Sequence, residues 1–323
     1  MFFLSTMWSP GDRVSPNKWF NVSGFSVDYS NCSLEGTWHA TLFVITYGVS
    51  IVVGVPANLM ALCGICHLVK SRILHSVYLL NLTVADLLYL SILPLWILYF
   101  MRDHRWVLGT SACKASGTLY FINMYASVYF LCCIAVERCL AIAYPLKFQT
   151  LRTVRCYVAV SLVGWLVIIM CQVPIIVSAE FAYSHLCYQG YVKSRSHAVV
   201  TCAASVFGFL CPSFLLLFCY HASIRGIEHS SVARTDAFWI KSMLLACLLT
   251  FLSCFGPYHC ISLVHAVHVI IYGPDCDFVL TIHSYYRISV AITSLNTVLD
   301  PLLYVYFCKD LSKHLEKLCR CGR

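Results

Sequence analysis

The sequence predicts an all-α membrane protein: a bundle of seven transmembrane helices followed by a C-terminal amphipathic surface helix. Three observations carry this. Apolar residues make up 60% of the 323 residues and charged residues only 11%, where a soluble domain carries roughly 25%. A chain so poor in charge cannot cover a surface that faces water. Seven apolar runs, at about 39–69, 76–101, 111–143, 154–178, 197–225, 237–270 and 280–306, reach the length needed to cross about 30 Å of hydrocarbon. Short polar segments with Pro, Gly, Ser or paired charges separate them.

Taken in order, residues 1–38 read as an extracellular tail, 39–306 as the seven-span body and 307–323 as a cytoplasmic amphipathic helix with a short tail. The opening residues lack the charged start, long apolar core and cleavage site of a signal peptide, so the first span is expected to direct insertion. Several runs exceed the minimum length, as tilted helices do. The loop at about 226–236 is too brief to hold an inserted domain.

Orientation follows from Lys and Arg near the span ends. Lys70, Arg72, Arg138, Lys147, Arg152, Arg155, Arg225, Arg234, Lys241 and five more basic residues at 309–323 lie at or near the ends where spans 1, 3, 5 and 7 finish. That side is expected to be cytoplasmic and the N-terminus outside. The glycosylation acceptors Asn21 and Asn31 in the tail agree, whereas a third, Asn81, lies inside span 2 and should not be modified. At the C-terminal end Phe307, Leu311, Leu315 and Leu318 share a face and Lys309, Lys313 and Lys317 line another. This is the pattern of a helix lying on the inner membrane surface, with Cys319 and Cys321 placed for palmitoylation.

The net charge of +8 comes with no basic tract interleaved with aromatics, so nucleic acid is set aside as a partner. Most of the 20 cysteines lie in apolar runs, where a thiol behaves as a small hydrophobe. Cys32, Cys113, Cys187 and Cys276 fall outside, where disulfides form. Four cysteines allow three pairings, and spacing alone leaves these open.

Ionisable and amide residues inside the membrane are functional candidates by default. Asp86 lies ten residues into span 2, roughly 15 Å deep at about 1.5 Å per residue. Asn296 and Asp300 in span 7, Asn123 and Ser127 in span 3 and Asn58 in span 1 lie at comparable depth. Together they make one buried polar cluster, able to hold water or a Na⁺ ion through oxygen ligands. A purely structural hydrogen-bond network is the alternative, and the two are compatible.

An ordered set of motifs then appears, one per span. These are Asn58 within Gly54-Val-Pro-Ala-Asn, Asn81-Leu-Thr-Val-Ala-Asp86, Glu137-Arg138-Cys139, Trp165, Pro212, Phe255-Gly-Pro257-Tyr-His259 and Asp300-Pro-Leu-Leu-Tyr304. The set resembles the rhodopsin-like family of G-protein-coupled receptors over about 39–320. The resemblance implies a Cys113–Cys187 disulfide, and with it a second between Cys32 and Cys276. Glu137 and Arg138 resemble the family's Asp-Arg-Tyr motif, whose arginine engages a heterotrimeric G protein. Tyr304 resembles the tyrosine that swings inward on activation. Arrestin, receptor kinases and membrane lipids are implied as further partners, and no cofactor beyond the possible Na⁺. The chain departs from the family at Cys139 (usually aromatic), Asp300 (usually Asn) and Phe255 (often Trp).

Within that family the chain resembles the proton-sensing and lysolipid-linked subgroup. The carrying residues are Leu93-Pro-Leu-Trp96, His104-Arg-Trp106 with Cys113-Lys114, Tyr129-Phe-Leu-Cys-Cys-Ile134, Pro257-Tyr-His259 and Ala291-Ile-Thr-Ser-Leu-Asn296. His39, His104, His185, His197, His265, His268 and His283 fall at or near the outer side, with His259 deeper. Imidazole ordinarily titrates near 6.5. Three histidines each gaining about one pKa unit in an active state would supply roughly 4 kcal/mol, against about 5.5 kcal/mol to move an equilibrium from 1:99 to 99:1. Two departures weaken the expected response. Ile168 stands where strong proton sensors of the subgroup carry a buried Glu, and Arg287 where they carry a histidine. Arg102, Lys114 and Arg287 instead suit an anionic head group, as in a lysophospholipid, an oxidised fatty acid or a nucleotide.

Other classes fit less well. His265 and His268, three apart, share only their spacing with a zinc-hydrolase ligand pair, since no third ligand follows at a fixed interval. Span 7 has no Lys for a retinal Schiff base. Internal repeats of the transporter kind are absent from the sequence.

Overall fold

The structure is a computed structural model. It describes residues 20–22, 25–27, 37–71, 73–74, 76–102, 104–144, 148, 152–177, 187, 195–228, 234–273 and 275–307, with the backbone alone at 20–22, 25–27, 37–39, 173–177, 234–236, 276 and 304–307. In the tail, β1 (Phe20–Val22) and β2 (Phe25–Val27) pair antiparallel with Asn21 opposite Ser26, a hairpin that the hydropathy pattern does not predict.

Seven helical spans follow. Span 1 comprises α1 (Thr37–Val49), a π turn (Ser50–Gly54) and α2 (Val55–Lys70). Spans 2, 3 and 4 are α3 (Ser76–Met101), α4 (Gly109–Ala143) and α5 (Val154–Val177). Span 5 comprises α6 (Arg195–Ser205), a second π turn (Val206–Leu210) and α7 (Cys211–Glu228). Span 6 is α8 (Arg234–Tyr272), and span 7 is α9 (Cys276–Thr293) with α10 (Asn296–Phe307). Six of the seven are long and apolar enough as continuous helices to cross a membrane. The seventh is interrupted at Ser294 and Leu295, where short bonds from Ser294 to Ala291 and from Leu295 to Ile292 tighten the turn. The proposed amphipathic helix beyond Phe307, with Cys319 and Cys321, lies outside the described residues.

The bundle is apolar on its outside. Leu162, Val163, Leu166, Val167 and Met170 of span 4, and Phe207, Phe214 and Phe218 of span 5, are exposed in stripes at helical spacing. In water these would be costly, and against lipid tails they are not. Of the six continuous apolar spans, span 3 is the most enclosed, and it packs against spans 2, 4, 5 and 6. Its contact with span 4 depends on Gly164: a Cβ there would stand 2.2 Å from Tyr129 Cε1. The Tyr129 hydroxyl donates to the Val160 carbonyl one turn away, at 2.9 Å.

Proline explains three irregularities. Each π turn ends two residues before a proline, Gly54 before Pro56 and Leu210 before Pro212. A proline ring crowds the carbonyl four residues back and offers it no N–H, and a widened turn relieves this without breaking the helix. In span 7, Pro301 leaves the Thr297 carbonyl without its helical donor. Asn58 of span 1 supplies one instead, through Nδ2 at 2.8 Å.

Candidate functional site

At one end of the bundle Cys113 and Cys187 are bonded, with their Cα atoms 5.7 Å apart. This joins the start of span 3 to the segment between spans 4 and 5, as the resemblance implies. The second implied disulfide lies outside the description, since Cys32 and the Cys276 side chain are not described; the same holds for His185, Asn31 and the side chains of His39 and Asn21.

Beside the disulfide sits an aromatic floor. Trp96, Tyr99, Phe100 and Trp106 pack on one another, and the Trp106 indole N–H donates to the Gly109 carbonyl at 2.8 Å. Span 2 ends here, and His104 follows in a left-handed conformation with φ +61°, uncommon for residues other than Gly, Asn, Asp and His. That backbone turns the imidazole edge-on to Tyr99 (5.7 Å) and Phe100 (5.4 Å). Arg287 reaches it from span 7, with its Nη2 3.2 Å from His104 Nε2. The guanidinium also lies over Phe43 of span 1 (4.8 Å) and over Phe100 (5.1 Å), two rings that stack on each other at 4.4 Å.

Arg287 is buried, 9% exposed, and its Nε–H meets no acceptor among the described residues. Cation–π contacts contribute about 0.5–2 kcal/mol each, while an unsatisfied buried donor costs about 1–3 kcal/mol. The guanidinium is therefore held mainly by rings and one imidazole. A guanidinium only donates, so His104 Nε2 must accept, and the imidazole in this arrangement is neutral with its proton on Nδ1. Of the other cations expected at an anionic head, Arg102 is exposed in the loop and Lys114 is half-buried in the first turns of span 3.

Four more histidines lie on spans 6 and 7. His259 is 2% exposed and stacks on Phe209 of the second π turn at 5.2 Å, 13° from parallel. His265 is buried and tilted against Phe278. His268 stacks on Phe278 at 3.7 Å, and its Nε2 stands 4.0 Å from the Asp275 carboxylate between the two spans. His283 is half-buried on α9. Phe43, Phe100, Phe209, Phe278 and Asp275 carry no signal in the sequence that singles them out. Aromatics are abundant in every span, and which ring meets which imidazole depends on helix rotation.

The mid-depth polar residues do converge. Asn123 Nδ2 donates to Asp86 Oδ1 (2.9 Å), and Asn296 Nδ2 to Asp300 Oδ2 (2.7 Å). Asp86, Ser127, Asn296 and Asp300 are completely buried. Asp86 Oδ2, Ser127 Oγ, Asn296 Oδ1, Asp300 Oδ1 and Asn58 Oδ1 have no hydrogen-bond partner among the described residues. An all-oxygen set bearing two carboxylates fits a hard cation such as Na⁺ or a few buried waters. Among the described residues no cluster of three His, Cys, Asp or Glu forms a transition-metal site. Asn81, the acceptor inside span 2, instead joins helices: the Trp165 indole donates to its Oδ1 at 2.7 Å, and its Nδ2 reaches Val77 and Ser161.

At the opposite end of span 3, Glu137 is 4% exposed. It accepts from the Tyr157 hydroxyl at 2.9 Å and lies 3.8 Å from Arg152 and 3.9 Å from Arg138. Cys139 is buried beside it. The backbone places Tyr304 in α10; its side chain lies outside the described residues.

Seven packed spans with a disulfide at one end, a polar cluster at mid-depth and a Glu–Arg pair at the other end are the architecture of a heptahelical receptor. Residues 57–304 match the 7 transmembrane receptor (rhodopsin family). The chain is 34% identical over 295 residues to G-protein coupled receptor 68 of Homo sapiens, covering 89% of this chain and 79% of that one. It is 33% identical over 277 residues to G-protein coupled receptor 65 of Homo sapiens, covering 82% of each. To the platelet-activating factor receptor of Cavia porcellus it is 31% identical over 308 residues, covering 90% and 89%. The chain belongs to the rhodopsin family of seven-transmembrane, G-protein-coupled receptors. It is a multi-pass membrane signalling protein.

Proposed function

We propose that this receptor stands in the plasma membrane with its disulfide end outside and responds to extracellular acidification, a bioactive lipid acting at the same end. The observation that carries the reading is the Arg287–His104 hydrogen bond across the mouth of the bundle. A proton on Nε2 turns that acceptor into a donor facing a cation, so the contact between the loop after span 2 and span 7 must open. The same proton added to His268 strengthens its attraction to Asp275, drawing spans 6 and 7 together at this end. Acid thus loosens one inter-helix contact and tightens another, which biases the bundle between two arrangements. The sign is fixed: an arrangement in which imidazoles bind protons more tightly is favoured as pH falls through their titration range.

At the other end, release of Arg138 from Glu137 would present the arginine to a heterotrimeric G protein, with receptor kinases and arrestin acting on the same face. Asp86, Asn123, Ser127, Asn296 and Asp300 would hold a Na⁺ ion or waters that steady the resting bundle. Glycans on Asn21 and Asn31, a Cys32–Cys276 bridge and palmitates on Cys319 and Cys321 complete the reading. The test is second-messenger and Rho reporter output in cells expressing the chain across pH 6 to 8, without added lipid. A steep rise on acidification, lost when His104, His185, His265, His268 and His283 become Phe together, is expected. A flat response from a surface-expressed receptor refutes it, and an anionic lysophospholipid, oxidised fatty acid or nucleotide becomes the agonist class to screen.

A further inference from the structure

We propose that Arg287 and His104 form an oxyanion clamp that protonation completes, so that the outer end of spans 1, 2 and 7 binds an anionic head group more tightly in acid. The inference rests on the geometry used for the proton reading and adds a ligand to it. Arg287 is a buried cation that forms no ion pair with a carboxylate among the described residues. Among the described residues its Nε–H lacks an acceptor, and its one polar partner is an imidazole nitrogen at 3.2 Å. The stacked rings of Phe43 and Phe100 lie against the guanidinium, 4.8 and 5.1 Å from it to their centroids. The left-handed backbone of His104 and its edge-on contacts with Tyr99 and Phe100 place the imidazole opposite.

Once His104 is protonated, its Nε2–H and the Arg287 guanidinium are two cationic donors facing one another, with no acceptor from the described residues between them. A carboxylate, sulfonate or phosphate oxygen entering that gap accepts from both, and a bidentate oxyanion also takes the Nε–H. A single guanidinium and a single imidazolium balance one or two negative charges, which suits one head group better than a polyphosphate. The other titratable groups of the described residues facing the pair are Tyr99 of span 2, with Tyr47 of span 1 and Tyr286 of span 7 on the Arg287 side, and Arg102 and Arg105 stand exposed in the loop. The Asp103 side chain lies outside the described residues. None of the described groups is an anion that could substitute for a ligand. Because each bound anion takes up one proton, linkage sets an upper slope of tenfold in affinity per pH unit.

The test is equilibrium binding of radiolabelled lysophosphatidylglycerol to the full chain in nanodiscs of neutral phosphatidylcholine, at pH 7.8 and pH 6.0. The charge of this phosphodiester does not change over that range, so any pH dependence belongs to the receptor. We expect binding about tenfold tighter at pH 6.0. Arg287→Gln should abolish it at both values, and His104→Asn should bind equally at both. Asn tolerates the left-handed backbone and does not titrate, which keeps that variant folded. Wild-type affinity that is the same at both values, or unaltered binding by Arg287→Gln, overturns the clamp. Competition by millimolar inorganic sulfate, with no preference for the lysolipid over it, assigns the clamp to free oxyanions; a silent sulfate assigns it to lipid heads. Acid-evoked signalling with pH-independent binding refutes the clamp and leaves the proton reading standing. Acid-tightened binding in a receptor that does not signal does the reverse.

Discussion

Replacing Glu137 with Gln should raise signalling in the absence of any stimulus. The carboxylate lies 3.9 Å from the Arg138 guanidinium. At that separation, with an effective dielectric near 20, the attraction is about 4 kcal/mol. The Arg138 side chain is 28% exposed, so water screens much of this and roughly 1–2 kcal/mol is retained. If that attraction holds Arg138 back in the resting receptor, its loss multiplies the active-to-resting ratio about 5- to 30-fold. A basal active fraction near 1% would then become roughly 5–20%. Tyr157→Phe removes only the hydroxyl donor of the same carboxylate and leaves its charge beside Arg138, so it should move output in the same direction by less. The assay is G-protein reporter output at pH 7.8 without ligand, normalised to surface expression. Output from Glu137→Gln equal to or below wild type, at matched surface expression, refutes a restraining role for this pair.

Gly164→Ala should destabilise the contact of spans 3 and 4, because its Cβ would overlap the Tyr129 ring; overpacking of this kind costs about 1–3 kcal/mol, read as a lower melting temperature in detergent. The companion Gly164→Ala/Tyr129→Leu variant should recover part of that loss. Cys113→Ser opens the disulfide, which spans 74 positions in sequence, and should lower the melting temperature and surface expression, a loss of about 4 kcal/mol in the chain-entropy picture. Asp86→Asn leaves the Asn123 hydrogen bond possible through the amide oxygen but removes a charge from the oxygen cluster. Any stabilisation by Na⁺ over choline seen in wild type should vanish in Asp86→Asn and in Asp300→Asn, measured by thermal melting in the two salts.

The spans are legible in the sequence because a membrane imposes one solvent on the whole middle of the chain. The observed ends fall within a few residues of the apolar runs: Ser76–Met101 coincides with 76–101, and Gly109–Ala143 begins two residues before 111. The mid-depth cluster is legible for a related reason. Asp86, Asn123, Asn296 and Asp300 lie at one depth in hydrocarbon, where the few polar partners available are at that same depth, so depth predicts their meeting. Arg287 is legible as a cation at the correct end, but not as a residue turned toward Phe43 and Phe100 of spans 1 and 2. Both faces of a helix are apolar in a bundle, which erases the periodicity that would reveal rotation. The break at Ser294 and the hairpin at 20–27 escape for another reason: each is a local hydrogen-bond choice without a hydropathy signature.

The π turn before Pro212 has a consequence for aligning this receptor with others. A helix advances about 100° with each residue, so one extra residue in span 5 rotates everything on its N-terminal side by that angle relative to everything after it. Residues 195–205 therefore present faces to the bundle that counting backward from Pro212 at 3.6 per turn assigns wrongly by about a quarter of the circumference. His197 and Ser205 belong to that rotated segment. An ideal α-helix, or a relative without the turn, superposed on the proline without a gap names the wrong neighbours for both, and a ligand fitted on that basis would meet lipid-facing side chains in place of the pocket wall.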